Sequence, residues 1–164
     1  MKFSENLRFN PYLLRIVTVV AIAFSLTSCS SKSADCTKLI GMISEGQTLV
    51  VNLSPKLDAT ATKQLSQELN MISQEIETLT IKDKPLQTFQ KNSIQQFRDL
   101  SNTLKPISEA LTTAEKVSVS PEGKQQLLQA QKTIEEAGGK AKQIASKNEA
   151  LFKELVNYCP QKTP

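Results

Sequence analysis

The spacing of apolar residues over 36–158 constrains the fold more than any other feature of this sequence. Apolar positions recur every three or four residues, which is the period of a helix that buries one face. The most regular repeat comes last, with one polar member: Leu127, Ala130, Ile134, Ala137, Ala141, Ile144, Asn148, Leu151, Leu155 and Tyr158. Gly138-Gly139 interrupts this repeat without changing its phase, which favours a weakened or kinked helix over a turn. The pattern therefore predicts an all-α fold.

Three short breaks divide this region into four predicted helices. The breaks are LSPKLD (53–58), KDKP (82–85) and VSVSPEGK (117–124), and each contains a proline beside residues that can cap a helix. The predicted helices cover 35–53, 57–81, 85–117 and 121–158. Two shorter helices followed by two longer ones predict an up-down-up-down four-helix bundle.

The residues in the breaks also predict how individual helices begin. Ser54 or Asp58 can serve as the N-cap of the second helix. At the start of the fourth helix, Ser120 fits the N-cap, Pro121 suits the first helical position and Glu122 favours the positive helix end.

Residues 1–28 have the pattern of an export signal. Basic residues precede an apolar run over 16–26, which is shorter than the ~20 residues that span a bilayer. The segment Leu26-Thr27-Ser28-Cys29 follows and resembles the lipobox of bacterial lipoproteins. The resemblance implies that Cys29 receives a diacylglycerol, that the leader is cut before it and that the new N-terminus is acylated. An uncleaved anchor and ordinary signal-peptidase cleavage are the alternatives.

The lipoprotein resemblance also gives a domain organisation. It comprises a signal peptide (1–28), the lipidated cysteine with a polar tether (29–35), a bundle domain (36–159) and a polar tail (160–164). Cleavage removes three basic residues and one acidic residue, so the net charge falls from +4 to +2. With no basic stripe and no Trp in the chain, we expect no nucleic-acid partner.

Lipidation of Cys29 leaves Cys36 and Cys159 as a pair in an oxidising compartment, which implies a disulfide between the two ends of the domain. Two unrelated buried thiols are the alternative. An even number of antiparallel helices would bring the same two ends together. If Gly138-Gly139 were a hairpin turn, the helices would number five and the cysteines would separate. Because Cys29 is close to Cys36 in sequence, the cross-linked end would face the membrane.

The residues that support catalysis are mostly missing. The chain has no His, which removes the usual general base near neutral pH, the Glu-x-x-His ligands of di-iron bundles and His-ligated haem. Glu135-Glu136 reads as a solvated pair, and two thiols are too few for a zinc site. Asn148 and Ser93 occupy positions on buried faces, where we expect Asn148 to bond another helix or a buried water and Ser93 to pack. We therefore expect no enzyme activity, no cofactor and no metal.

The helix lengths leave part of the longer pair without an obvious cover. At ~1.5 Å per residue the helices are roughly 28, 37, 50 and 57 Å long. Measured from the membrane end, the short pair stops near the height of Pro106, which should bend its helix, and of Gly138-Gly139. Above that height, residues 107–137 either fold over the short helices or present an apolar groove to a partner. The candidate groove residues are Ile107, Leu111, Leu127, Leu128 and Ile134.

The expected function is that of a membrane-anchored lipoprotein acting as a non-enzymatic interaction or assembly factor. The general plan is similar to the small helical-bundle lipoproteins that cyanobacteria attach to the lumenal side of photosystem II. That resemblance implies a thylakoid-lumen location, and the outer membrane facing the periplasm is the other expected site. The alternatives are a carrier or sensor that binds an apolar molecule, such as a lipid or pigment, between Gly46, Ala137 and Ala141, and an envelope structural or adhesion-like spacer.

Overall fold

The computed structural model describes residues 32–52 and 58–159. The predicted signal peptide, the lipobox with Cys29, the first part of the tether and the polar tail lie outside the described residues. Four helices form in the described ranges: α1 over 32–52, α2 over Ala59–Thr78, α3 over Lys84–Lys116 and α4 over Pro121–Tyr158. The predicted all-α, up-down-up-down bundle with two shorter and two longer helices is confirmed. Residues 32–35, which we predicted as tether, already belong to α1.

Side-chain caps fix where the helices begin. The Asp58 carboxylate accepts a hydrogen bond from the Ala61 amide at 2.7 Å, and so caps α2. Ser54, the other predicted cap, lies outside the described residues. The Ser120 hydroxyl accepts from the Gly123 amide at 3.0 Å, which confirms the predicted start of α4. These bonds satisfy amide groups that have no partner within the helix itself.

The helix breakers inside the two long elements do not end them. Pro106 lies within α3, and α4 continues through Gly138 and Gly139. No described glycine has a positive φ, so the pair does not form a glycine-specific turn. The five-helix alternative is therefore wrong, and the phase of the apolar repeat was the better guide.

Small polar residues hold α2 against α3. The Ser66 hydroxyl donates to the Ser101 carbonyl at 2.9 Å, and the Ser101 hydroxyl donates to the Ser66 carbonyl at 2.7 Å. Near the start of α2, the Ser108 hydroxyl donates to the Ala59 carbonyl at 2.8 Å. A serine hydroxyl reaches the backbone of another helix only where the two helices lie close together. These bonds therefore set the register of α2 on α3.

The core lies between all four helices. Side chains that are almost completely buried come from each helix: Leu39, Ile43, Leu69, Ile76, Leu86, Phe97 and Leu155. Phe97 of α3 packs on Gly46 of α1, because a Cβ added at Gly46 would lie 2.6 Å from two atoms of the ring. The first half of α4 contributes little to this core. Between 121 and 136, the buried residues are Gly123 and Ala130.

Candidate functional site

The two chain ends of the bundle are joined covalently. Cys36, near the start of α1, forms a disulfide with Cys159, which follows α4, and their Cα atoms are 5.8 Å apart. Both residues are buried, and the Cys159 amide donates to the Leu155 carbonyl at 2.9 Å. The predicted pairing is confirmed. We call this part of the bundle the disulfide end.

A polar cluster at the disulfide end joins three helices. Asp83 is the N-cap of α3, where its carboxylate accepts from the Leu86 amide at 3.0 Å. The same carboxylate accepts from the Tyr158 hydroxyl of α4, at 2.9 and 3.1 Å for its two oxygens. The Lys32 ammonium of α1 lies 3.9 Å from Asp83 and 3.9 Å from the centre of the Tyr158 ring. The Tyr158 ring also packs on Phe89, with 5.8 Å between the ring centres.

The cluster changes the ionisation of its lysine. Hydrogen bonding to Tyr158 is the main reason that the pKa of Lys32 is raised above its ordinary value of 10.5, and the charge of Asp83 acts in the same direction. Sequence reasoning missed this cluster, because Lys32 was counted in the tether and Asp83 in a break. The cluster could have been predicted from Asp83. Its position before Pro85 suits the N-cap of α3, and in an up-down-up-down bundle the start of α3 lies beside the end of α4.

Among the described residues, the furthest part of the opposite end is formed by the two long helices. The bond from Ser108 to Ala59 places the start of α2 at the height of Ser108. From there α3 continues to Lys116, which is eight residues or roughly 12 Å further. The helix lengths predicted that the short pair would end near the height of Pro106, and the bond from Ser108 to Ala59 places the start of α2 two residues further along α3. We call residues 113–128, which turn from α3 into α4 beyond the cover of α2, the tip.

The five candidate groove residues do not lie on one surface. Ile107 belongs to the buried core, and Leu111 and Ile134 are partly buried against it. Leu127 and Leu128 are 46% and 57% exposed. Residues 107–111 are thus mainly covered, whereas the leucines of the tip face outward.

Further apolar residues are exposed at the tip. Val119 is fully exposed in the turn between α3 and α4. Val117 and Leu127 line a shallow depression there, together with Pro121 and Lys124. The tip therefore combines apolar side chains with flanking charge, at the end of the bundle opposite the disulfide.

The predicted small-residue site between Gly46, Ala137 and Ala141 holds no open space at Gly46. The Phe97 ring occupies that position, as described above, while Ala137 is buried and Ala141 packs against the core.

A separate pocket of about 250 Å³ lies between α1, α3 and α4. Five of its lining residues are apolar, two are amides and one is an acid: Val50, Val51, Phe97, Leu100, Ala145, Gln47, Asn148 and Glu149. Asn148 is 4% exposed, and its Oδ1 has no hydrogen-bond partner among the described residues. The expected bond to another helix is therefore absent from the described part of the chain. We call this feature the Asn148 pocket.

Two other polar atoms, both on α3, are also buried without a hydrogen-bond partner among the described residues. Ser93 is completely buried, and neither its hydroxyl nor the Gln96 side-chain carbonyl has a partner among the described residues. These residues are three positions apart and so lie on one side of α3.

Two other kinds of site are absent from residues 32–52 and 58–159. No group of three or more Cys, Asp or Glu side chains is arranged to hold a metal ion there. No helix in those ranges is both long and apolar enough to cross a membrane. Glu135 and Glu136 are exposed. Comparison of the chain with known protein families, with curated proteins and with solved structures found no match in any of the three.

Proposed function

We propose that this protein is a lipid-anchored envelope lipoprotein that acts through protein contacts rather than by catalysis. The lipobox Leu26-Thr27-Ser28-Cys29 supplies the anchor. Lys32 follows Cys29 by three residues, which span at most about 11 Å when fully extended. A lipid on Cys29 would therefore hold the disulfide end against the headgroups, either at the outer membrane facing the periplasm or on the lumenal side of a thylakoid.

The observation that carries the proposal is the placement of exposed apolar residues at the far end from the anchor. Leu127, Leu128 and Val119 lie on the tip, beyond the start of α2, where the bundle would point away from the membrane. Exposed apolar side chains that adjoin one another, as Val119 and Leu127 do around the depression in the tip, favour contact with another protein. We propose a membrane or envelope protein as the partner, with an apolar surface that accepts the side of α4 at Leu127 and Leu128.

The expected contact is weak or transient. Stable interfaces bury about 800 Å² on each partner, and the tip offers only a few apolar side chains. Charged residues such as Lys124 and Glu122 flank these side chains and suit the rim of an interface.

The anchor is tested by mass spectrometry of the protein recovered from membranes. The expected mature chain begins at Cys29 and carries a diacylglycerol, and the variant Cys29→Ala should leave the membrane fraction. A mature chain that begins elsewhere, or one that carries no lipid, would remove the anchor from the proposal.

The partner contact is tested by a photo-crosslinking residue placed at position 128 in the native host. Met71 on α2, which is 52% exposed, provides a matched control position on the side of the bundle. Crosslinking from 128 should give one discrete adduct that is absent from 71 and is lost in the double variant Leu127→Ser/Leu128→Ser. Equal adducts from both positions, or no adduct from either, would contradict a docking role for the tip.

A further inference from the structure

We propose that the Asn148 pocket binds a small, uncharged and mainly apolar molecule that carries one hydrogen-bond donor. This site is distinct from the tip, so the inference does not depend on the proposed protein contact. A single-ring phenol is the simplest member of the ligand class.

The buried asparagine provides the first argument. Asn148 is 4% exposed and lines the pocket, yet its Oδ1 accepts no hydrogen bond from the described residues. Buried polar atoms in folded proteins almost always have a partner, because desolvation without a replacement bond is unfavourable. A donor on a bound molecule would supply this bond.

The size of the pocket provides the second argument. Its volume is about 250 Å³, whereas one water occupies about 30 Å³ of liquid. A cavity of about 150 Å³ is enough to bind benzene in another protein. The space opens to solvent at Val51, which is 70% exposed, and it is larger than one bridging water requires and large enough for a substituted single ring.

The lining selects against charge. Phe97, Leu100 and Val51 present apolar surface from two helices. Among the described residues that line the pocket, Glu149 carries the only charge, and it is exposed with its carboxylate 2.7 Å from the Lys153 ammonium. Because Lys153 already pairs with this carboxylate, the lining carries no unpaired charge and favours an uncharged ligand.

The Phe97 ring also has a fixed position beside the pocket. It is completely buried and is held against Gly46, where a Cβ would lie 2.6 Å from the ring. The ring therefore forms a rigid wall that a bound aromatic ring can pack on.

The experiment measures binding of phenol and anisole to the purified full chain, by following the Asn148 side-chain amide in NMR titrations. Anisole has nearly the same ring and size as phenol but cannot donate a hydrogen bond. We expect saturable phenol binding at millimolar concentration and about tenfold weaker binding of anisole, because a buried acceptor discriminates against a ligand that lacks the donor.

Two replacements of alanine by leucine on α4 test whether phenol binds in this pocket. Ala145 lines the pocket, whereas Ala150 is exposed on the same helix. Ala145→Leu should weaken phenol binding at least tenfold by filling the space, and Ala150→Leu should leave it unchanged. Asn148→Leu should remove the preference for phenol over anisole.

Three results would overturn the inference: no saturable binding of phenol, equal affinities for phenol and anisole in the unmodified protein, or unchanged phenol binding in Ala145→Leu. None of these three results requires the Asn148→Leu variant to fold, so the inference can be tested even if that variant is unstable.

Discussion

Phe97 and Gly46 form a close contact between two helices that are far apart in sequence. Phe97 is completely buried on α3, and its ring lies where any larger residue at 46 would place its Cβ. The apolar spacing of each helix predicts that both residues are buried. It does not predict that they meet, because periodicity within one helix carries no information on the height of its neighbour.

Replacing Gly46 with Ala should destabilise the protein. The added Cβ would lie 2.6 Å from the Phe97 ring, so the ring or the helix must shift. We expect the free energy of unfolding to fall by about 1–3 kcal/mol, even though Ala is the better helix former. Urea unfolding measures the change. Gly41→Ala is the control, since a Cβ there meets nothing within 4 Å, and it should add about 0.5–1 kcal/mol. Equal effects of the two substitutions would contradict the contact.

Tyr158→Phe should lower the pKa of Lys32 while leaving the ring in place on Phe89. Hydrogen bonding to Tyr158 is the main cause of the raised pKa, so its loss should return the value toward 10.5. The ¹³C shift of the Lys32 side chain next to its ammonium, followed against pH, measures this. Lys153 is the control, because it pairs with Glu149 on the same helix and not with the cluster. An unchanged Lys32 titration would contradict the proposed bond.

The sign of the pH effect on stability follows from this shift. A lysine whose pKa is raised in the folded state stabilises that state at every pH below the unfolded value of 10.5. The contribution is lost as pH rises through the folded pKa. The difference in unfolding midpoint between the unmodified protein and Tyr158→Phe should therefore narrow as the pH rises above 10.5, and the part that remains should reflect the lost bond from the Tyr158 hydroxyl to Asp83.

At the scale of the helix, α4 has two glycine sites with opposite requirements. Gly138 lies in the middle of α4, and a Cβ there meets nothing within 4 Å. Gly123 lies in the first turn, where a Cβ would collide with the Ser118 carbonyl of the turn from α3. The packing therefore does not require a glycine at 138, whereas Gly123 allows the two long helices to be joined closely.

Alanine substitutions at Gly138 and Gly123 should therefore change the free energy of unfolding in opposite directions. Gly138→Ala should raise the free energy of unfolding by about 0.5–1 kcal/mol, since glycine is a poor helix former. Gly123→Ala should lower it by about 1–3 kcal/mol, because the backbone of the turn must move. Thermal unfolding of the two variants measures both. A loss of stability in Gly138→Ala would show that the fold needs a weak point in α4.

For the whole molecule, the fold class could be predicted because local signals agreed with each other. The breaks, the caps and the apolar repeat are all read from neighbouring residues, and the even helix count brought Cys36 and Cys159 together. The candidate sites were harder to predict. The Lys32 cluster and the Asn148 pocket each depend on side chains from three helices, and the exposure of Leu128 depends on where α2 begins.

Reduction of the disulfide should remove a large part of the stability of the bundle. The cross-linked cysteines are 123 residues apart, and closing a loop of this length is worth about 4–5 kcal/mol in the chain-entropy model. Domains of this size are stable by only about 5–15 kcal/mol. Urea unfolding with and without reductant should therefore show a much lower midpoint for the reduced protein. Its dependence on urea should be steeper, because the unfolded chain is no longer restrained.

The double variant Cys36→Ser/Cys159→Ser separates the cross-link from other effects of the reductant. It should unfold near the midpoint of the reduced protein and should not respond to added reductant. The Asp83–Tyr158 bond joins the same end without a covalent link, and it should hold α3 and α4 together in both forms. If the midpoint were unchanged on reduction, helix packing alone would hold the two ends, and the disulfide would contribute little to the free energy of unfolding.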